Sequence, residues 1–583
     1  MKTSEELIKK LMKNQMDYNI FIKFNSKTAI EKTSLTNLIR KAISSGYIEK
    51  TDGNLLRVTK EGRQYINKLE GKDEAPKTVK SVRINVNPKD AKLDSQIIAK
   101  AYNIKLDFNE DILKSACDIN NNADFSNIEE DRIDLRDIKT ITIDSESSKD
   151  LDDAFSIEKL DNCIYKVYVH ISDVSHFIEL DSPLDLEARK RGNSTYLIDA
   201  VYNMFPEILS NNIISLNENA DRFALTLICE INNDGEILSS SVYKSIIKSY
   251  RKLSYDYAEK LIKKEESDDN WLLELIDNAL NIKNILYKKR KEGRGVEFDN
   301  QDIKILLNDD GMPTEFYAEE KKESMSIIEE LMLLANSQIA EKLSVYDGVI
   351  YRYHGLPDEY RFNNFNILAH NKGYDLKKNT DGSYDIKGFI DNIKGKQEEN
   401  LLIPVLLRSM TPSSYSIVNK SHFGLGLDYY TYFTSPIRRY SDLLIHRIVK
   451  DTILSGKNSN SIDEKLKNIC KDSIESLSLL DKTSKKAEKY IIQIKAARYM
   501  KDRLGDEYYG IISSINQKGI YVEIEGLEIE GFIEATYVGS NYRFYQDMQS
   551  VYVDKIKAYE LGDRVKVLVA SANVENGKIF FSL

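Results

Sequence analysis

Cysteine is scarce and scattered. The four residues, Cys117, Cys163, Cys229 and Cys470, stand far apart in a chain of 583 and form no CxxC pair. A zinc site or a disulfide framework is therefore not expected, and a reducing, cytoplasmic compartment is. Long hydrophobic runs are missing too. The opening stretch MKTSEELIKKLMKNQ has no continuous apolar segment of the signal-peptide type. No segment approaches the roughly 20 apolar residues needed to cross a bilayer, so no membrane partner is expected. Positive charge is in deficit: 83 Lys and Arg against 93 Asp and Glu leave a formal net charge of −10. That argues against a nonspecific nucleic-acid coat protein. It leaves room for a nucleic-acid enzyme, which needs only a local basic channel beside acidic catalytic groups.

What the chain does have is crowding of one kind. Asp144, Asp150, Asp152 and Asp153 fall within ten residues, in the run ITIDSESSKDLDDAF. Carboxylates this close repel one another unless cations or water offset the charge. Hard oxygen donors suit Mg²⁺ or Mn²⁺, with water and substrate phosphate completing the shell. The competing reading is a solvated acidic loop. Against it, Ile141 and Ile143 alternate with Thr140 and Thr142 as in a strand, and Ala154, Phe155 and Ile157 follow the last aspartate, so the loop is bounded by expected core. A calcium loop of the EF-hand type fits poorly, since its glycine position would fall on Lys149.

The rest of the chain divides into four parts. Residues 1–70 read as a small helical module. Leu7, Ile8, Leu11 and Met12 have helical spacing, and Thr33 is placed to cap a helix from Ser34 to Ser44. A hairpin turns at Thr51–Asn54, and a last helix runs through Tyr65, Ile66 and Leu69. This pattern resembles a winged helix, a module that binds either nucleic acid or protein. Residues 71–138 read as a polar linker and a partly helical lead-in with little to form a core of its own. Residues 139–503 form the large mixed α/β middle with trailing helices. Its clearest strand is Tyr165–Ile171, and one of its helices spans Met325–Leu343. Residues 504–583 alternate in short strands punctuated by glycine, as in an OB-type barrel that holds single-stranded nucleic acid.

A second constellation is YTYFTSPIRRYSDLLIH, Tyr430 to His446. Ser435-Pro436 marks a turn into a helix expected near Ile437, which puts Arg438 and Arg439 in its first turn. Cations are unfavourable there unless an anion such as phosphate joins them. The alternative is an ion pair between Arg439 and Asp442, three residues on.

Together these motifs resemble the ribonuclease II / ribonuclease R family. The aspartate spacing around KDLDDA carries the resemblance, with VHISDVSHFI (169–178), RGNSTYL (191–197), HFGL (422–425) and YFTSPIRRYSDLLIHR (432–447) in the family's order. The winged helix points to the ribonuclease R branch and the last barrel to an S1-type domain. The implied fold is a multidomain α+β chain: winged helix, mixed α/β catalytic domain, S1-type OB barrel.

The resemblance implies a processive 3′→5′ exoribonuclease that hydrolyses single-stranded RNA with a free 3′ end to nucleoside 5′-monophosphates. It implies Mg²⁺, with Mn²⁺ as substitute and two ions in catalysis about 3.5–4 Å apart. By family position Asp144, Asp150 and Asp153 are metal ligands. Asp152 is the carboxylate on which the chemical step most depends, and Arg438 clamps the scissile phosphate. Tyr196 and Phe298 stack on bases near the 3′ end, with core packing the alternative for each. Tyr255 and Glu330 read the ribose 2′-hydroxyl, with a solvated helix position the alternative for Glu330. Arg439 joins the RNA contacts, as do Tyr521 and Phe532 of the barrel. His422 and His446 are read as core histidines without a catalytic role. A monomer is expected.

The chain also departs from the family. About 70 residues separate winged helix and catalytic domain, too few for the usual pair of cold-shock barrels, so handling of structured RNA is the property most exposed. Met325 and Tyr432 stand where relatives often have histidine, Lys518 and Glu534 replace usual barrel residues, and the basic tail of many relatives is missing. The competing function is an RNA-binding regulator that uses the winged helix and barrel around an idle core. A DNA-binding role for residues 1–70 explains little of the remaining chain.

Overall fold

The computed structural model describes residues 7, 16–17, 29–45, 47–50, 55–59, 84, 86–126, 128–160, 164–293, 295, 302–355, 357, 359–378, 384–396, 398–455, 462–545 and 548–583. The chain divides into two compact units, Met1–Arg83 and Ile84–Leu583.

In the first unit the strands Ile48–Lys50 and Leu55–Val58 pair antiparallel, Ile48 opposite Val58 and Lys50 opposite Leu56. A two-residue strand, Met16–Asp17, adds to the other edge of Leu55–Val58. Leu35, Ile39 and Ala42 of the helix Ala29–Ser44 pack with Leu7, Ile48, Leu56 and Val58. The helix begins at Ala29, so Thr33 lies inside it and is not its cap. The segment Ala29–Lys32 holds good helix formers, which carry the helix back by a turn. Leu7 apart, the expected helices at Leu7–Met12 and Tyr65–Leu69 lie outside the described residues.

In the second unit the strands Thr140–Asp144, Asp153–Leu160, Ile164–Ser172, Asp221–Asn232 and Ile237–Ser254 pair in a circuit that returns on itself, with Arg132–Asp134 added to the last. One polar side chain from each strand faces the interior. Thr140 meets Ser156 at 2.8 Å, Ser156 meets His170 Nε2 at 3.2 Å, His170 Nδ1 meets Thr226 at 2.8 Å, and Thr226 meets Ser245 at 2.6 Å. Thr140 and Thr142 are thus as buried as Ile141 and Ile143. The expected alternation is of polarity, not of exposure. The apolar face, Ile141, Phe155, Val169 and Leu225 among them, packs under the helices Tyr255–Ile262, Asn270–Glu292, Glu323–Leu343 and Tyr440–Thr452.

The lead-in is no linker from residue 84 onward. Its helices, Asp94–Ala101 and Glu110–Asn122, are packed, and among the described residues from 84 to 131 no barrel occurs. Ile84, Val86, Ile98 and Ala99 share a core with Leu197, Ala487, Ile491, Ile494 and Val574. Fully buried Asp94 accepts from Arg498 Nε (2.8 Å) and Nη2 (2.6 Å) and lies 3.0 Å from Lys495 Nζ. Those partners come from the helix Glu464–Lys501, 404 residues later in the chain. The segment has no core of its own and shares one with distant parts of the chain.

The C-terminal strands Glu507–Asn516, Gly519–Ile524, Glu530–Glu534, Lys578–Ser582 and Arg564–Asn573 close a five-stranded barrel. Gly519 is required where two of them meet: its φ is 153°, and a Cβ would sit 2.0 Å from the Ile533 carbonyl oxygen.

Candidate active site

The acidic run is the connection between two neighbouring strands. Asp144 ends Thr140–Asp144 and Asp153 opens Asp153–Leu160, so the turn between them brings all four aspartates to one end of the strand circuit. There Asp144, Asp150, Asp152 and Asp153 line a cavity of about 620 Å³, inside the roughly 300–1,000 Å³ range of small-molecule pockets. Tyr196, Tyr255, Arg438 and Arg439 share its wall. So do Ile328, Met332 and Asn336, one face of the helix Glu323–Leu343.

Burial sets the electrostatics. Asp144 is pushed up to about 8, first by burial and then by Asp153. Burial lifts Asp153 to about 6 against the pull of Arg438 and Arg439. Asp152, 4% exposed, is held well above the carboxylate range by burial, with Arg438 and the Ile437 N–H opposing. Its Oδ1 accepts from the Ile437 N–H at 2.8 Å. Its Oδ2 lies 3.3 Å from Arg438 Nε but in no hydrogen-bond alignment, and it is buried without a partner, as is Asp144 Oδ2. Asp150 accepts from the Tyr196 hydroxyl at 2.6 Å.

The two arginines do different things. The helix starts at Tyr440, so neither lies in its first turn. Residues 435–438 form a turn closed by Arg439 N–H on the Ser435 carbonyl at 2.9 Å. Pro436 and this turn delay the helix. Arg438 is 44% exposed along its side chain, its guanidinium donates to Ser435 Oγ (3.1 Å) as its one hydrogen bond among the described residues, and it reaches into the cavity beside Asp152. Arg439 is spent on structure. Its Nε and Nη2 each donate to buried Asp442 at 2.9 Å, and its guanidinium lies 4.1 Å over the Tyr432 ring. The ion-pair alternative is the one the structure shows, though it is partly buried.

Residues 132–455, more than half of the chain, match the RNB domain, and residues 501–583 match the S1 RNA binding domain. The chain belongs to the RNB ribonuclease family. Ribonuclease R 1 of Lactococcus lactis is 34% identical over 458 residues, covering 77% of this chain and 56% of that relative's length. Among solved structures, Mycoplasma genitalium RNase R in complex with ribose methylated single-stranded RNA superposes with a TM-score of 0.79 at 23% identity, over 85% of this chain and 78% of that one. Yeast Ssd1, a pseudonuclease, has the same fold at TM-score 0.61 and 17% identity, over 80% of this chain and 58% of that one. The RNB fold is therefore no proof of activity, which rests on the side chains of the site.

Of the residues singled out in this RNB chain, all four aspartates, Tyr196, Tyr255, Arg438 and Arg439 meet at one cavity. Glu330 does not. It is 4% exposed and gripped by Arg290, whose Nε lies 3.1 Å away, so it is neither a solvated helix position nor part of the cavity wall. Its neighbour Glu329 lines the cavity instead. Phe298 lies outside the described residues. Tyr521 and Phe532 are opposite each other on adjacent barrel strands, rings 4.7 Å apart and partly exposed. His446 is a core residue, its Nε2 on the Phe433 carbonyl at 2.8 Å. His422 lines the cavity with its Nδ1 already accepting from the Leu425 N–H. Asn336 was missed: its Oδ1 accepts from the Phe433 N–H at 2.8 Å and so shapes the arginine turn. The spacing Ile328, Met332, Asn336 was the available signal, one helix face ending in a polar residue.

A divalent cation fits the RNB site. Two buried carboxylate oxygens lack partners, and the lifted carboxylates would ionise together only beside positive charge. Among the described residues no three acidic, imidazole or thiol groups are by themselves placed to hold a metal ion.

Proposed function

We propose that this protein is a divalent-metal-dependent, processive exoribonuclease that shortens single-stranded RNA from its 3′ end and releases nucleoside 5′-monophosphates. The observation that carries the reading is the shared cavity: four carboxylates at one end, Arg438 half-free beside Asp152, and tyrosines on the wall.

Asp144, Asp150 and Asp153 hold the cations, and Asp152 is the carboxylate on which the chemical step most depends. When bound, the cations neutralise the carboxylates and favour attack of water on phosphorus. Arg438 binds the scissile phosphate and stabilises its growing charge, a task its loose engagement leaves it free to do. Tyr196 and Phe298 stack on bases, and Tyr255 faces the ribose 2′-hydroxyl, the group that separates RNA from DNA. Tyr521 and Phe532 hold single-stranded RNA upstream. Arg439 acts through Asp442 to keep the arginine turn in shape. The protein works as a cytoplasmic monomer. Cys117, Cys229 and Cys470, free and scattered, support the compartment.

The deciding experiment uses 5′-labelled single-stranded RNA and Mg²⁺, with the wild type beside Asp152→Asn. Stepwise shortening to a small residual oligomer, lost in the variant while RNA binding persists, is expected. Binding by the wild type without shortening would make the chain an RNA-binding regulator with an idle core.

A further inference from the structure

The Asp150 carboxylate accepts from the Tyr196 hydroxyl, while its backbone is held from outside the acidic loop. Its own N–H and C=O make no hydrogen bond among the described residues. The peptide groups on either side are held by a single hydroxyl. Ser215 Oγ donates to the Lys149 carbonyl at 2.7 Å and accepts from the Leu151 N–H at 3.0 Å. The next residue continues the grip, with the Leu216 N–H on the Leu151 carbonyl at 3.0 Å.

Ser215 is itself immobile. It is fully buried, its carbonyl accepts from Arg222 Nε at 2.8 Å, and Asn217 Oδ1 stands 3.1 Å from its hydroxyl. Ile214, just before it, accepts from Ser172 Oγ at the end of the strand Ile164–Ser172. Ser172 also donates its N–H to the Asp152 carbonyl at 2.9 Å. The segment 214–216 is therefore tied to the strand that anchors Asp152, and it transmits that register to Asp150. The other end of the loop has a separate tether, Lys252 Nζ on the Ser148 carbonyl at 2.5 Å.

We infer that Ser215 is a positioning residue for the cation site: it brackets both peptide groups flanking Asp150 and so fixes where that carboxylate meets a divalent ion. The inference rests on the metal reading of the four aspartates. A side chain one shell out that orients a ligand is worth 10–100-fold in metal affinity. Ser215 does not line the cavity.

The test is Mn²⁺ binding alone, without RNA, by the full chain, read from the electron paramagnetic resonance of free Mn²⁺ well below the melting temperature. Ser215→Ala should raise the Mn²⁺ dissociation constant about tenfold or more, while affinity for single-stranded RNA in EDTA stays at the wild-type value. Ser215→Cys keeps the volume but bonds weakly, so it should fall between the two, and it decides the matter if the alanine variant does not fold. A folded variant that binds Mn²⁺ like the wild type overturns the role of Ser215 and leaves the metal reading standing. A wild type that binds no Mn²⁺ overturns both.

Discussion

Removing the charge of Asp144 should stabilise the cation-free protein. An unfolded aspartate titrates near 3.9, whereas folding pushes Asp144 up to about 8 by burial and by Asp153. Below about pH 4 both states carry the proton and nothing is lost. As the pH climbs, the unfolded chain sheds a proton that the folded state keeps, and stability falls by about 1.4 kcal/mol per pH unit until the folded group ionises near 8. At pH 7 the loss is on the order of 4 kcal/mol, counted once because Asp144 and Asp153 share the repulsion. The pull of Lys252 is already contained in that value. Asp144→Asn in EDTA should therefore melt a few degrees above the wild type at pH 7. The gap should close toward pH 4. Mg²⁺ should reverse the order, because a ligand that binds only the folded state raises its stability by mass action and the variant has lost a ligand. Differential scanning fluorimetry across pH 4–8, with and without Mg²⁺, reads all of this. Equal melting of the two proteins at every pH in EDTA would refute the claim that crowding and burial, rather than solvent, set this carboxylate.

Three further outcomes follow from the geometry. Arg438→Ala should slow RNA shortening by about 10²–10³-fold, the usual cost of one transition-state donor, and leave the melting temperature nearly unchanged, since the side chain is 44% exposed; single-turnover kinetics and a melt check both halves. Arg439→Ala should instead behave as a stability variant, losing about 3–5 kcal/mol by stranding buried Asp442, which urea denaturation would show. Phe532→Ala should weaken single-stranded RNA binding by about 1–3 kcal/mol, the worth of one stacked base, without changing the rate for a short oligonucleotide confined to the cavity; fluorescence anisotropy against oligomer length separates the two.

Much of the site was legible because its signals are local. The four aspartates share one loop, so chain spacing alone brings them close, and flanking apolar residues mark the loop as bounded by core. The barrel was legible for the same reason: alternation and glycine recur within each strand. The misreadings have a common cause. Glu330 was expected at the ribose 2′-hydroxyl, with a solvated helix position as the alternative, yet Arg290, 40 residues earlier, meets it. Arg439 was expected in a helix's first turn, yet the helix starts one residue after it, and its Nε and Nη2 donate to Asp442. The segment from Ile84 looks coreless because its core lies on a helix that begins at Glu464.

By itself the sequence determined the acidic loop, the strands that flank it and the terminal barrel, since each depends on interactions between residues close along the chain. Only the tertiary structure decided which charged groups face the cavity and which are spent on one another. It also decided that a serine 65 positions beyond Asp150 holds that loop in register. Such choices depend on which distant side chains compete for the same buried partner, and a buried charge is satisfied by whatever the folded chain brings within hydrogen-bond reach.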